Sequence, residues 1–320
     1  MNNKNKISAT SVRYIKLGAG GRFEQSALRE GRLYLGYHEA PHEDCVAGDW
    51  EAISRLYRNA GHKPFVASNH ARQVRDFYEE PETCLWITFV DGSLWWTFAR
   101  PEITMCLEKD WREISDDLHG PSRFRPCVEQ WRNTNIDGLP LLMRKLPGYV
   151  TKVVSGFRGT ICQIEHADAV LRIINGEVDP RVEEAMAARE ALIVSLERVI
   201  DRLYWKDFET LIDLIFQRSG WPRVSRVGGS QKLIEFELEN PVTGERSFAQ
   251  VKAQANQKTL DEYVESFARD VGFKQMFFVC HTAKGKLQND DPDIFVWTGP
   301  KVAEMAVKAG LADWILEKVQ

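Results

Sequence analysis

Runs of period two and runs of period near 3.6 follow one another along the chain, and their order sets the expected architecture. The clearest period-two signal is Cys84-Leu-Trp-Ile-Thr-Phe-Val, then Asp91-Gly92, then Ser93-Leu-Trp-Trp-Thr-Phe. Two residues tolerant of positive φ between aromatic and β-branched runs predict a hairpin with a type I′ turn. Counting out from that turn pairs Phe89 with Leu94, Ile87 with Trp96 and Leu85 with Phe98, all apolar and on one face. The opposite face carries Trp86, Thr88, Trp95 and Thr97. Those two tryptophans either cover a helix or form a stacking surface for a base or a methylated group.

Upstream, Tyr14-Ile-Lys-Leu and Arg32-Leu-Tyr-Leu-Gly-Tyr read as strands. Gly18-Ala-Gly-Gly-Arg reads as a turn, because it lacks the Gly-Lys-Ser/Thr ending of a phosphate loop. Residues 50–60 and 69–78 have helical spacing, and Asp49 can cap the first. Residues 149–154 and 160–164 read as strands around Ser155-Gly-Phe-Arg-Gly. Phe157 and Arg158 there would either wedge into a duplex and grip phosphate, or make an ordinary turn.

Asn175-Gly-Glu-Val-Asp-Pro marks a boundary, and Pro180 after Asp179 starts a helix. Residues 181–204 carry Val182, Ala185, Ala188, Leu192, Leu196, Val199 and Leu203 at helical spacing. This reads as a connecting helix whose apolar stripe packs on its own chain or forms a homodimer seam. A helix over 207–216 follows, then a break at Ser219-Gly-Trp-Pro. Strand-like runs at 232–239 and 247–252 flank Asn240-Pro-Val-Thr-Gly-Glu. A helix over 259–271, strands at 275–281 and 293–297, and a helix over 301–320 split near Gly310 close the pattern.

Composition bounds the reading. At 320 residues two domains are expected. No apolar window reaches the length of a membrane span, and the polar start lacks a signal core. We expect a cytoplasmic protein without a membrane partner. The six cysteines are scattered with no Cys-x-x-Cys, which argues against zinc and against a disulfide framework. Net charge is −4, with Lys+Arg against Asp+Glu at 23 to 22 up to Asn175 and 19 to 24 beyond it. That balance speaks against tight non-specific DNA affinity.

Candidate chemistry concentrates between Trp205 and Lys252. Strand alternation puts Ile234, Phe236 and Leu238 on one face and Glu235, Glu237 and Glu239 on the other. On the second run, Ala249 and Val251 oppose Phe248, Gln250 and Lys252. Pairing the runs gathers carboxylates, an amide and an ammonium, oxygen donors suited to Mg²⁺ beside a cation suited to phosphate chemistry.

An acidic residue ending one strand, Gln-x-Lys on the next, and a preceding helix with Phe208-Glu209 resemble the PD-(D/E)xK nuclease superfamily, nearest its Mrr-like restriction endonucleases. The resemblance spans about residues 205–316. It implies Glu235 as metal-binding and catalytic acid, Gln250 and the Val251 carbonyl as further metal ligands, Lys252 as the residue that handles water, and Glu209 as the helix glutamate. The family usually has Asp where Glu235 stands, so Glu237 is the substitute ligand. Mg²⁺, or Mn²⁺ in its place, is the implied cofactor, with no nucleotide cofactor. The N-terminal half is similar in architecture to PUA-like modules (EVE, YTH and SRA types), which read modified bases. That likeness implies Trp86, Trp95, Phe157 and Arg158 as base- or ligand-binding residues.

The expected fold is therefore a two-domain α+β and α/β chain: a disordered lead over 1–10, a small β-barrel-like PUA-like domain over 11–175, a connecting helix over 176–204, and a restriction-endonuclease-like mixed sheet flanked by helices over 205–320. The expected function is a modification-dependent restriction endonuclease whose partner is DNA carrying a modified base. A ligand- or RNA-triggered anti-phage effector nuclease and a catalytically decayed nucleic-acid-binding module are the alternatives.

Overall fold

The computed structural model describes residues 6–107, 120–224, 236–269 and 272–320. It divides into two compact units, Met1–Pro180 and Arg181–Gln320.

In the first unit the elements run β1 (Ser11–Ile15), α1 (Glu24–Glu30), β2 (Arg32–Leu35), α2 (His42–Ala47), α3 (Trp50–Asn59), α4 (Pro64–Glu79), β3 (Cys84–Val90), β4 (Ser93–Phe98), β5 (Thr104–Met105), β6 (Arg123–Pro126), α5 (Gly148–Gly156), β7 (Ile161–Gln163) and α6 (Ala167–Ile174). They form a sheet β4-β3-β1-β7 and a sheet β2-β6-β5. Neither closes into a barrel, which corrects the barrel-like expectation. The outer edge of β4 forms single-residue bridges, Trp96 with Arg132 and Ser93 with Leu142.

The β3–β4 hairpin has the predicted register, Leu85 with Phe98, Ile87 with Trp96 and Phe89 with Leu94. Asp91 and Gly92 take φ values of 49° and 71°, the left-handed pair a type I′ turn demands. Both faces of this sheet are buried. Leu85, Ile87, Leu94 and Trp96 pack with Val150, Val170 and Ile174 from α5 and α6. Trp86 packs on the other face with Phe77 of α4 and Leu33 and Leu35 of β2.

Three local readings are corrected. Residues 149–154, expected as a strand, lie in α5. The β-branched run misled, because only Val150 and Val153, at i and i+3, turn toward the core. Helix α4 begins at Pro64 rather than at 69, with Pro in the first turn, where its missing N–H costs nothing. Residues 6–10 were expected to be part of a disordered lead, yet Ile7 is clamped by Asn175, whose side chain accepts from Ile7 N at 2.8 Å and donates to Ile7 O at 2.9 Å. Residues 1–5 lie outside the described residues.

In the second unit α7 (Pro180–Ile200) leads to α8 (Trp205–Arg218), β8 (Phe236–Glu239), β9 (Arg246–Ala255), α9 (Gln257–Arg269), β10 (Gln275–Ala283), β11 (Ile294–Trp297), α10 (Gly299–Lys308) and α11 (Ala312–Val319). The sheet order is β11-β10-β9-β8. β8 is antiparallel to β9, while β10 runs parallel to both β9 and β11. One face packs Phe236, Leu238, Ala249 and Val251 on α8, α10, α11 and the end of α7. The other carries Phe248, Phe278 and Cys280 under Leu260 and Tyr263 of α9. Along α7 only Ile193, Leu196 and Ile200 are buried, while Val182 and Met186 are exposed.

Candidate functional site

β9 is the central carrier. Apolar residues on one face anchor it, and alternation sends Gln250 and Lys252 to the other. Gln250 is 2% exposed, opposite Phe278 of β10, and its Nε2 lies 3.4 Å from the carbonyl of Val251. Lys252, opposite Cys280, is half-buried. Its ammonium sits 5.4 Å from the centroid of the Tyr263 ring, an attraction that holds the side chain up from the sheet. Tyr263, read from sequence only as one apolar position of a helix, is thus the platform beneath Lys252; the βαβ crossover that places α9 over β9 was the signal for it.

The acidic positions divide. Glu235 lies outside the described residues. Glu237 pairs with Phe248, one strand repeat of about 7 Å along from Gln250 and about 13 Å from Lys252. Its carboxylate accepts from Arg246 Nη2 at 2.8 Å. Glu209 is half-buried on α8, between Phe208 and Leu211, which pack on the face carrying Val251. His281 joins its strand to the end of α7: Nε2 lies 2.6 Å from Ile200 O, and the ring meets Phe208 edge-on at 5.0 Å.

Among the described residues no three His, Cys, Asp or Glu side chains gather as metal ligands. What the described part of β9 offers is an amide oxygen and a backbone carbonyl with a lysine two residues on. Neutral oxygen donors fit a hard cation; the carboxylate expected beside them, Glu235, lies outside the described residues.

The residues expected to read a base are spread out. Trp86 is 0% exposed, with Phe77 at 6.4 Å and the Arg125 guanidinium 5.9 Å from its ring centroid. A ring so enclosed offers no free face to a base. Of the two openings the sequence left, Trp86 covers a helix. Trp95 is half-buried, its Nε1 donating to Val90 O at 3.3 Å. Phe157 packs edge-on against Tyr14 at 6.2 Å. Arg158 is exposed beside a cavity.

No family model matches the chain. No curated protein matches it. Among solved structures, the MspJI restriction endonuclease in complex with a 27-mer oligonucleotide is similar at 12% identity, covering 91% of this chain and 74% of that chain, with a TM-score of 0.28.

Proposed function

We propose that the chain is a metal-dependent DNA endonuclease directed to modified bases, with cleavage in the second unit and recognition in the first. The observation that carries this reading is the display of Gln250 and Lys252 on one face of β9, inside a helix–strand–strand–helix–strand order. Glu235, the Gln250 amide oxygen and the Val251 carbonyl hold Mg²⁺, or Mn²⁺. When bound, the ion supplies charge stabilisation at the phosphate and favours deprotonated water. Lys252 orients the attacking water and offsets the charge that develops on the phosphate oxygens, while Glu209 supports the site from α8. Trp95, Phe157 and Arg158 belong to recognition, and Trp86 acts by holding the sheet that carries Trp95.

A second reading keeps the nuclease and makes the first unit a sensor of a free ligand or RNA. The net charge of −4 favours it, since duplex affinity rests on cationic surface.

Cleavage of a DNA panel (unmodified, cytosine-methylated, hydroxymethylated and glucosylated) with Mg²⁺ or Mn²⁺ tests the proposal. At least one modified DNA is cut faster than the unmodified control, and Lys252→Ala lowers the rate on the order of 10²–10³-fold with DNA retention unchanged. If every DNA stays intact, the enzymatic reading fails.

A further inference from the structure

A cavity of about 390 Å³ in the first unit lies between the turn after β1, the segment after β2 and the loop before β7. Lys16, Arg22 and Arg158 line it, against the single carboxylate of Glu39. Its floor is aromatic: Tyr57 meets His70 edge-on at 5.0 Å, and His70 meets His62 at 5.1 Å.

Two buried polar atoms of the residues that line it, the Tyr57 hydroxyl and His70 Nδ1, have no protein partner among the described residues. Tyr57 is 2% exposed. Leaving such a group unsatisfied costs about 1–3 kcal/mol, so an unmet polar pair lining a cavity points to a ligand that completes it. Burial, with His62 adding to it, lowers the pKa of His70, and a neutral imidazole nitrogen donates or accepts according to tautomer.

The backbone around the cavity is also specialised. Tyr37, on its wall, has a φ of 51°, rare for a bulky residue and characteristic of strain held at binding sites. Gly18 has a φ of 82°, and a Cβ there would stand 2.8 Å from Arg22 Cγ and Phe23 Cδ2. The loop on the other wall is pinned by Gln73 of α4, whose Oε1 accepts from Ile161 N at 2.9 Å.

We propose that this cavity binds one nucleotide, its phosphate among Lys16, Arg22 and Arg158 and its base edge against the Tyr57 hydroxyl and His70 Nδ1. The volume sits near the lower end of the roughly 300–1,000 Å³ of small-ligand sites, room for a single nucleotide unit. The inference deepens the recognition half of the reading above and uses none of its cleavage chemistry. The nucleotide is either free or part of a strand, and the shared chemistry is a phosphate beside a planar base.

The test uses the full chain carrying Lys252→Ala, so that strands survive. Binding is measured for deoxycytidine monophosphate, its methylated form, and short duplexes with and without one methylated cytosine. We expect at least one probe to bind, with Arg158→Ala weakening it roughly tenfold or more and Tyr57→Phe weakening it several-fold while leaving the thermal midpoint unchanged or raised. Binding of a monophosphate with those effects supports a free ligand. Binding of a duplex alone with those effects supports a nucleotide within a strand. No binding by any probe, or binding indifferent to both substitutions, overturns the proposal. Binding by a wild-type chain that cuts no DNA would sink the nuclease reading and leave this one standing.

Discussion

Arg123 and Arg125 are both 0% exposed, and each is held by backbone oxygen rather than by a carboxylate. Arg123 Nη2 donates to Ala40 O at 2.7 Å and Tyr37 O at 3.1 Å, and Nη1 to the Tyr78 hydroxyl at 2.6 Å. Arg125 donates to the carbonyls of Arg100, Phe77 and Ala99. Removing such a fork strands several carbonyls in the interior. Arg123→Ala should cost about 1–3 kcal/mol for each acceptor left unpaired, read from urea denaturation, and Arg123→Lys should recover only part, because an ammonium cannot span the same acceptors. Burial by itself would raise the Glu80 carboxyl, but the Ser11 hydroxyl and Arg13 Nε, each at 2.7 Å, outweigh it and hold its pKa below the ordinary value of 4.5. A carboxyl depressed in the folded state adds stability above its unfolded pKa and loses it as pH falls through the folded one. Glu80→Gln should therefore cost about 1–2 kcal/mol at neutral pH and progressively less below pH 4.5. A cost independent of pH would contradict this. None of it was legible in the sequence, since arginine in an inward position looks outward until its carbonyl partners are known.

At the scale of elements, hairpin and caps were the legible parts because their causes are local. Asp-Gly specified the turn, and Asp49 caps α3 by accepting from Ala52 N at 2.9 Å. No heavy atom stands within 4 Å of a Cβ added at Gly92, so Gly92→Ala isolates the backbone term. We expect a loss of about 1 kcal/mol and a midpoint lowered by a few degrees; an unchanged midpoint would refute the type I′ assignment. The other face of the hairpin misled, because alternating Trp and Thr look half-polar. The Thr97 hydroxyl is in fact satisfied by Glu129 O at 3.0 Å, so this threonine could be buried without that cost. Its partner, a carbonyl more than thirty positions away, leaves no trace in local pattern. For α5 the same limit applied: β-branched side chains carry strand propensity, and only tertiary packing decided for a helix.

Across the whole molecule, each unit has its own buried clusters, around Trp86 and Leu85 in the first and around Val251 and Phe278 in the second. Fragments 1–180 and 181–320 should each melt cooperatively by circular dichroism, and a fragment without a transition would contradict that independence. The faces of β9 were legible because strand alternation is strict, so Gln250 and Lys252 stood together in the sequence as they do on the sheet. The nucleotide-sized cavity was not, because Lys16, Tyr57, His70 and Arg158 come from four separate segments. The proposed cleavage rests on a divalent ion at Glu235 and Gln250, and Mn²⁺ binding followed by electron paramagnetic resonance with duplex DNA present is its test. The wild-type chain should bind Mn²⁺, with Glu235→Ala and Gln250→Ala each weakening it about tenfold or more; Mn²⁺ affinity untouched by both substitutions would contradict the account.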